Sequence, residues 1–294
     1  MRRMRPPVHV VARVPELVHA ELERDFELLD APEGAAGLVA IPSVSVDAAL
    51  LDRAGPGLKI VANYAVGLDN VDLDAARERG IVVTNTPDVL TRATAEHALA
   101  LLLSLVRRVA EGDRFLRRGE QWRIEPNFML GRGLDGRTLG IVGAGRIGGE
   151  LARLAAALGM RVVTAGRGEP LDDVLAADAV SLHCPLTPET RHLIREETLR
   201  RMNPDAVLVN TSRGAVVDEA ALVRALRDGT IAGAALDVFE DEPAVHPGLL
   251  ELENVVLTPH TGSATHEARE AMGMLCVEAL RAVLLEDGRP SNAV

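Results

Sequence analysis

Short apolar, β-branched runs alternate with stretches of helical periodicity along all 294 residues, the pattern of parallel strands joined by crossover helices. The alternation occurs in two series. The first predicts strands at Val8–Ala12, Phe26–Leu29, Leu38–Ile41, Ile60–Ala62 and Val82–Thr84, with a helix over Pro15–Arg24. Their near-continuous apolar character implies burial on both faces. Next, Thr91–Val109 reads as one long helix whose unbroken apolar stretch predicts burial on most sides, within a domain or at a dimer contact. The second series predicts six strands, at Thr138–Val142, Arg161–Ala165, Ala179–Leu182, Val207–Val209, Ile231–Leu236 and Val255–Leu257. Helices are predicted over Ile147–Leu158, Glu219–Asp228 and Thr265–Glu286. Ile147, Leu151, Leu154 and Leu158 form one stripe that Gly159 stops, and Asp218 caps the next helix, which Gly229 ends.

Composition narrows the picture. A chain of this length with 47% hydrophobic and 26% charged residues buries a large core and divides into about two domains. Only 2% is aromatic and the net charge is −11, which excludes a stacked-ring nucleic-acid surface and argues against a phosphate-backbone partner. Cys184 and Cys276 are too few for a disulfide framework and have no zinc-type spacing, so no metal site is expected and a reducing, cytoplasmic setting is. The basic start of the chain lacks a signal-peptide apolar region, and the most apolar stretch, Ala98–Val106, is too short to span a membrane.

The candidate chemistry begins at Gly143-Ala144-Gly145-Arg146-Ile147-Gly148, a Gly-x-Gly-x-x-Gly run that follows a predicted strand and opens a predicted helix. There the glycines can turn tightly, admit a pyrophosphate against bare backbone and pack helix on strand, while the helix N-terminus offers N–H groups. Ligands of an open parallel sheet bind beyond the carboxyl ends of its strands. Thr211-Ser212-Arg213 follows the fourth strand, Asp237 ends the fifth, and Pro259-His260 follows the sixth. Taken singly, Arg213 reads as a solvated charge, Asp237 as a turn residue and His260 as a histidine at a domain joint. Their convergence on one edge favours a site. Arg213 offers a planar fork for a carboxylate, His260 a proton near neutral pH, and Glu242 a carboxylate to orient that imidazole, within an acidic loop that also holds Glu240 and Asp241. His183, His246 and His266 are weaker rivals for the proton, while His9, His19, His97 and His192 sit in strand or helix patterns with no polar cluster expected nearby.

These residues resemble a known family, the D-isomer-specific 2-hydroxyacid dehydrogenases, over almost the whole chain. Leu139–Gly148 resembles its cofactor loop, Ser181–Ile194 its Leu-His-Cys-Pro-Leu-Thr segment, and Asn210–Gly214 its Asn-Thr-Ser-Arg-Gly. Asp237–Pro243 and Thr258–Ala264 are similar to its last two signatures. The resemblance implies Arg213, Glu242 and His260 as the catalytic trio, with Asp237 near the nicotinamide amide. It further implies Thr94, Cys184, Pro185, Thr190, Thr211 and Gly262 along the cofactor, beside Gly143, Gly145, Arg146, Ile147 and Gly148, and Ser263 beside the substrate. Asn63–Asp72 resembles the family's substrate loop, in which Asn63 stands at the strand end and the Val66 and Gly67 N–H groups hold the substrate carboxylate. Its wording is most similar to the glyoxylate and hydroxypyruvate reductase branch. Thr261 departs from the usual aliphatic residue.

A second departure bears on the cofactor. The place that usually carries an acidic residue for the adenosine ribose is Gly166, followed by Arg167. A missing carboxylate and an added cation tolerate a 2′-phosphate, so NADP(H) is favoured and NAD(H) is the alternative, in which Glu169 takes the ribose and Arg167 faces solvent. The resulting expectation is two doubly wound α/β domains: a Rossmann dinucleotide domain at 87–264 inserted into a flavodoxin-like substrate domain made of 1–86 and 265–294, with the site in the cleft between them. The activity expected is reduction of glyoxylate or hydroxypyruvate by NADPH in a homodimer. The absence of Lys or Arg in Asn63–Leu68 speaks against a phosphorylated substrate such as a phosphoglycerate derivative. Lactate-like acids and a nucleotide-sensing corepressor role are the alternatives.

Overall fold

The computed structural model describes residues 5–294 and divides them into two compact units, one running up to Leu90 and resuming over Ala264–Val294, the other Thr91–Ser263. In the first unit, β1 (Pro7–Val10), α1 (Glu16–Asp25), β2 (Glu27–Leu29), β3 (Gly37–Ala40), α2 (Ala48–Ala54), β4 (Ile60–Asn63), α3 (Leu73–Glu78) and β5 (Val82–Thr84) alternate as the pattern requires. The five strands are parallel in the order β2-β1-β3-β4-β5, the flavodoxin-like arrangement. One face carries Leu38, Ala40, Val61 and Val83 against Val46, Leu51 and Ala76.

The second unit opens with α4 (Thr91–Val106) and α5 (Val109–Arg117), then β6 (Thr138–Val142), α6 (Arg146–Ala157), β7 (Arg161–Ala165), α7 (Asp172–Leu175), β8 (Ala179–Leu182), α8 (Glu196–Leu199), β9 (Val207–Asn210), α9 (Glu219–Arg227), β10 (Gly233–Leu236), α10 (Pro247–Leu250) and β11 (Val255–Leu257). The last long helix, α11 (His266–Leu284), returns to the first unit. The second sheet is parallel throughout, in the order β11-β10-β9-β8-β6-β7. Its strands sort residue by residue into two cores. Val180, Leu182, Leu208, Ala234, Leu236 and Val255 face one layer, and Leu139, Ile141, Val207, Val209, Ala235 and Val256 the other. That period of two on a sheet buried from both sides is why the runs read as continuously apolar.

The single helix expected over 91–109 is two. The Val106 carbonyl accepts from the Arg132 N–H (2.8 Å), Arg108 turns left-handed at φ +56°, and α5 departs with none of its residues buried. Asp47, Asp72, Asp218 and Thr265 cap α2, α3, α9 and α11 through their side chains. Among the described residues, no helix is long and apolar enough to cross a membrane.

Candidate active site

In the second sheet the chain order reverses between β6 and β8, the place where an open sheet leaves a crevice beyond its strand ends. The glycine run sits there, and its three glycines do three different things. Gly143 turns at φ +88°, and a side-chain carbon on it would lie 2.7 Å from the Cys184 N, against the loop after β8. Gly148 packs the start of α6 onto β6, with no room for a side chain between it and the Gly143 carbonyl. Gly145, by contrast, faces open space, so a group can approach its bare backbone at the helix N-terminus. Ile147 is half-buried behind this turn and Arg146 is exposed on it. The Thr211 hydroxyl, beyond β9, is buried and has no hydrogen-bond partner among the described residues. Residues of this kind fit a dinucleotide.

Nearby loops are stiffened by their own hydrogen bonds. The Thr190 hydroxyl donates to the Pro185 carbonyl (2.6 Å) beside the buried Cys184, drawing together the segment expected along the cofactor. His183 is bonded to Ser181 Oγ (2.8 Å), and burial pushes its imidazole down to about 4. It is therefore neutral at physiological pH, unsuited to giving a proton. His246 accepts from the Gly248 N–H (3.1 Å) as a helix cap, a structural task, and His266 opens α11.

The expected trio lies at the ends of β9, β10 and β11. Asn210, fully buried at the end of β9, donates to the Arg213 carbonyl (2.9 Å) and accepts from the Ser212 N–H (3.0 Å) and hydroxyl (2.8 Å), shaping the turn that presents Arg213. Gly214 then presses against the Phe239–Glu240 backbone so tightly that a side-chain carbon there would overlap the Phe239 carbonyl group. This contact holds Arg213 beside the acidic loop. Glu242 accepts from the Phe239 N–H (2.9 Å) with one oxygen and meets His260 Nδ1 (2.7 Å) with the other. Burial raises the Glu242 carboxyl, but His260, the Phe239 N–H and the Arg213 charge outweigh it and hold the group below the usual carboxylate range. With Nδ1 engaged by a carboxylate, Nε2 is the nitrogen left for chemistry. His260 itself sits in the left-handed region at φ +52°.

Asp237, 1% exposed, accepts from the Thr258 hydroxyl (2.6 Å) and from the Thr261 (2.8 Å) and Gly262 (2.7 Å) N–H groups. The unusual Thr261 adds its hydroxyl to the same carboxylate at 3.3 Å. Thr94, buried on α4, lies next to Gly262. At the end of β7, the Gly166 N–H donates to Glu169 Oε2 (2.6 Å), while Arg167 is exposed and its charge is felt by Glu189.

The first unit has its own polar turn after β4. Asn63, fully buried, donates to the Gly67 carbonyl (2.8 Å) and pairs reciprocally with Asn70. The Ala65 carbonyl accepts from the Thr86 N–H (2.9 Å) and the Val66 carbonyl from Asn85 Nδ2 (2.9 Å). Because the N–H of a trans peptide points opposite its C=O, those two bonds turn the Val66 and Gly67 N–H groups the other way, side by side. Neither has a partner among the described residues. Two adjacent N–H groups aimed alike are a ready pair of donors for a carboxylate.

Comparison with known proteins gives the family. Residues 99–262 match the model of the D-isomer specific 2-hydroxyacid dehydrogenase NAD binding domain. The chain is 46% identical to the glyoxylate reductase of Thermococcus litoralis over 309 aligned residues, covering 94% of this chain and 93% of that one. A Thermus thermophilus protein of solved structure superposes with a TM-score of 0.92 at 47% identity, over 98% of this chain and 99% of the other. An NADPH-dependent glyoxylate/hydroxypyruvate reductase from Sinorhizobium meliloti, solved with NADP and malonate, gives a TM-score of 0.86 at 36% identity over 99% and 97% of the two chains. The chain belongs to the D-isomer-specific 2-hydroxyacid dehydrogenases.

Two histidines of this dehydrogenase correct the expectation that no polar cluster lies near them. His192 Nε2 bonds Glu240 (2.6 Å), joined there by Arg191, so it stabilises the acidic loop. His97 Nε2 reaches Asp237 Oδ1 (3.2 Å) and Thr258 Oγ1 (3.0 Å). The sequence held a faint signal: Thr94 and His97, three apart, are polar on a helix whose other inward positions are Ala and Leu.

Proposed function

We propose that this dehydrogenase reduces a small 2-oxo acid, glyoxylate or hydroxypyruvate, to the 2-hydroxy acid with NADPH as the preferred reductant. The observation that carries the reading is the Glu242–His260 pair set beside Arg213 by the Gly214 contact. When bound, the reduced dinucleotide supplies a hydride to the substrate's carbonyl carbon. Arg213 donates to the substrate carboxylate and polarises its carbonyl. The Val66 and Gly67 N–H groups take the carboxylate, with Asn63 holding their turn and Ser263 near the substrate. His260 Nε2 gives its proton to the carbonyl oxygen, and Glu242 stabilises the imidazolium that makes the gift possible. In the reverse direction the same nitrogen takes the proton back.

The NADPH preference is supported by the missing carboxylate at Gly166, by Arg167 beside it, and by the Sinorhizobium relative, which is NADPH-dependent. Glu169, tethered to the Gly166 N–H, favours NADH and must let go for a 2′-phosphate to enter. The glycine loop, Thr94, Cys184, Pro185, Thr190, Thr211, Asp237 and Gly262 line the cofactor in this reading. Exposed Leu116 on α5, with Trp122, Ile124 and Leu130 between α5 and β6, supports a homodimer, and two free, buried cysteines a cytoplasmic one.

The test is an initial-rate panel of glyoxylate, hydroxypyruvate, pyruvate and 3-phosphohydroxypyruvate with each reductant. Highest kcat/KM is expected for the first two with NADPH. Faster pyruvate or phosphorylated-acid turnover overturns the substrate reading, and a preference for NADH overturns the role of Arg167.

A further inference from the structure

The turn that carries His260 is gathered by one buried carboxylate. Asp237 Oδ1 accepts from the Thr258 hydroxyl and the Thr261 N–H, and Oδ2 from the Gly262 N–H, so its donors lie on both sides of His260 in the turn. The His260 N–H donates to the Asp237 main-chain carbonyl as well (2.8 Å). A side-chain residue in the left-handed region carries a backbone penalty of about 1–2 kcal/mol. At His260 these bonds to a single residue hold the turn against it.

His97 enters from α4, outside the turn, and counting protons fixes what it does. Thr258 has one hydroxyl hydrogen, and at 2.6 Å it lies on Asp237 Oδ1. Toward His97, 3.0 Å away, the Thr258 oxygen therefore accepts. Burial raises the Asp237 carboxyl, yet the bonds from His97, Thr258 and Thr261 outweigh it and keep the group ionised, so it too only accepts. Nε2 must carry a hydrogen, shared between the two oxygens. Among the described residues, His97 is the one side chain beyond the 258–262 turn that bonds the Asp237 carboxylate.

We infer that His97 is a positioning residue for the reduction: its shared Nε2–H locks Asp237 to Thr258, and the locked pair holds the turn in the one shape that presents His260 Nε2 to the substrate. The inference rests on the reading of His260 as proton donor. Removing the shared hydrogen leaves a buried carboxylate one donor short and frees the Thr258 hydroxyl to rotate. The turn then relaxes from its left-handed shape. Arg213 and the Val66 and Gly67 N–H groups keep their own supports, so substrate capture is spared while proton delivery suffers.

The experiment uses the full chain with saturating NADPH. His97→Phe keeps the ring's bulk and removes the donor; His97→Gln restores an N–H that spans both oxygens. The phenylalanine variant is expected to lose tenfold or more in kcat for glyoxylate with KM within threefold of wild type, and the glutamine variant to recover to within threefold. Thr258→Val, which leaves α4 untouched and removes the shared hydroxyl, gives the same split and decides the question if His97→Phe does not fold. Wild-type kcat in the donor-free variants, equal losses in kcat and KM, or failure of glutamine to rescue overturns the role of His97. A wild-type enzyme that reduces neither glyoxylate nor hydroxypyruvate overturns the functional reading instead.

Discussion

Gly214→Ala tests whether the Arg213 turn and the Glu242–His260 pair work as one assembly. The added carbon would overlap the Phe239 carbonyl group, and to reach even the tightest distance real side chains adopt, 3.0 Å, one backbone must withdraw by about 1 Å. Neither backbone is loose. Phe239 N–H is held by Glu242 (2.9 Å) and Glu240 N–H by Glu219 (2.8 Å), while Asn210 fixes the Arg213 side. Withdrawal on the acidic side stretches two bonds to carboxylates, worth about 1.5–3 kcal/mol each. Overpacking alone costs about 1–3 kcal/mol. The protein meets this partly by unfolding more readily and partly by separating Arg213 from Glu242. We expect about 2–4 kcal/mol of lost stability, and a 100-fold or greater fall in kcat/KM for glyoxylate in the folded fraction, about 2.7 kcal/mol of transition-state stabilisation. The glycine loop is untouched, so NADPH affinity stays within threefold. Urea unfolding gives the first number, steady-state rates the second, and quenching of Trp122, the only tryptophan, the third. A variant of near wild-type stability and rate would show that the contact does not position Arg213.

Arg213→Ala should lower kcat/KM for glyoxylate by several kcal/mol equivalent while leaving dinucleotide affinity nearly unchanged, which titration of the nucleotide against steady-state rates will check. Glu242→Gln removes the negative partner of His260 and should move the alkaline limb of the reduction rate to lower pH, as rates from pH 5 to 10 will show; an unmoved limb detaches Glu242 from the proton. Gly166→Asp with Arg167→Ala should reverse the NADPH preference, and Glu169→Gln alone should strengthen it, both read as the ratio of kcat/KM for the two reductants. His183 stays neutral down to about 4 when folded but takes a proton near 6.5 once unfolded. Acid therefore favours the unfolded chain: stability present above pH 6.5 should fall by about 1.4 kcal/mol per pH unit on the way to 4, a slope His183→Gln flattens in urea melts.

Both sheets were legible because parallel strands covered on two sides leave unmistakable apolar runs, and the grouping of Arg213, Glu242 and His260, proposed for catalysis, because three polar strand ends in one sheet share an edge. What escaped the pattern depended on partners far along the chain. The break after Val106 follows from a carbonyl taken by Arg132, which no helical period announces. His97 looked idle because its partners, Asp237 and Thr258, lie over a hundred residues away. Gly214 read only as part of a motif; that a methyl group is forbidden there emerges from the Phe239 backbone. Strand β10 begins at Gly233, not Ile231, because pairing with β9 starts there.

The paired N–H groups of Val66 and Gly67 belong to the main chain, and this affects how such a protein can evolve. In the proposed reading, no substitution at Val66 other than proline deletes either donor, so its side chain is free to drift in size and polarity while the acid group stays anchored. Selection can therefore retune which acid is preferred without passing through an ancestor that holds none. The fragile point is elsewhere, at Asn85, whose amide turns the Val66 carbonyl and whose own carbonyl accepts from Asn292, more than two hundred residues along. If the Val66 and Gly67 N–H groups hold the substrate as proposed, changes near the end of the chain can reach that anchor through one asparagine, a route by which distant mutations would alter substrate range while no residue touching the substrate has changed.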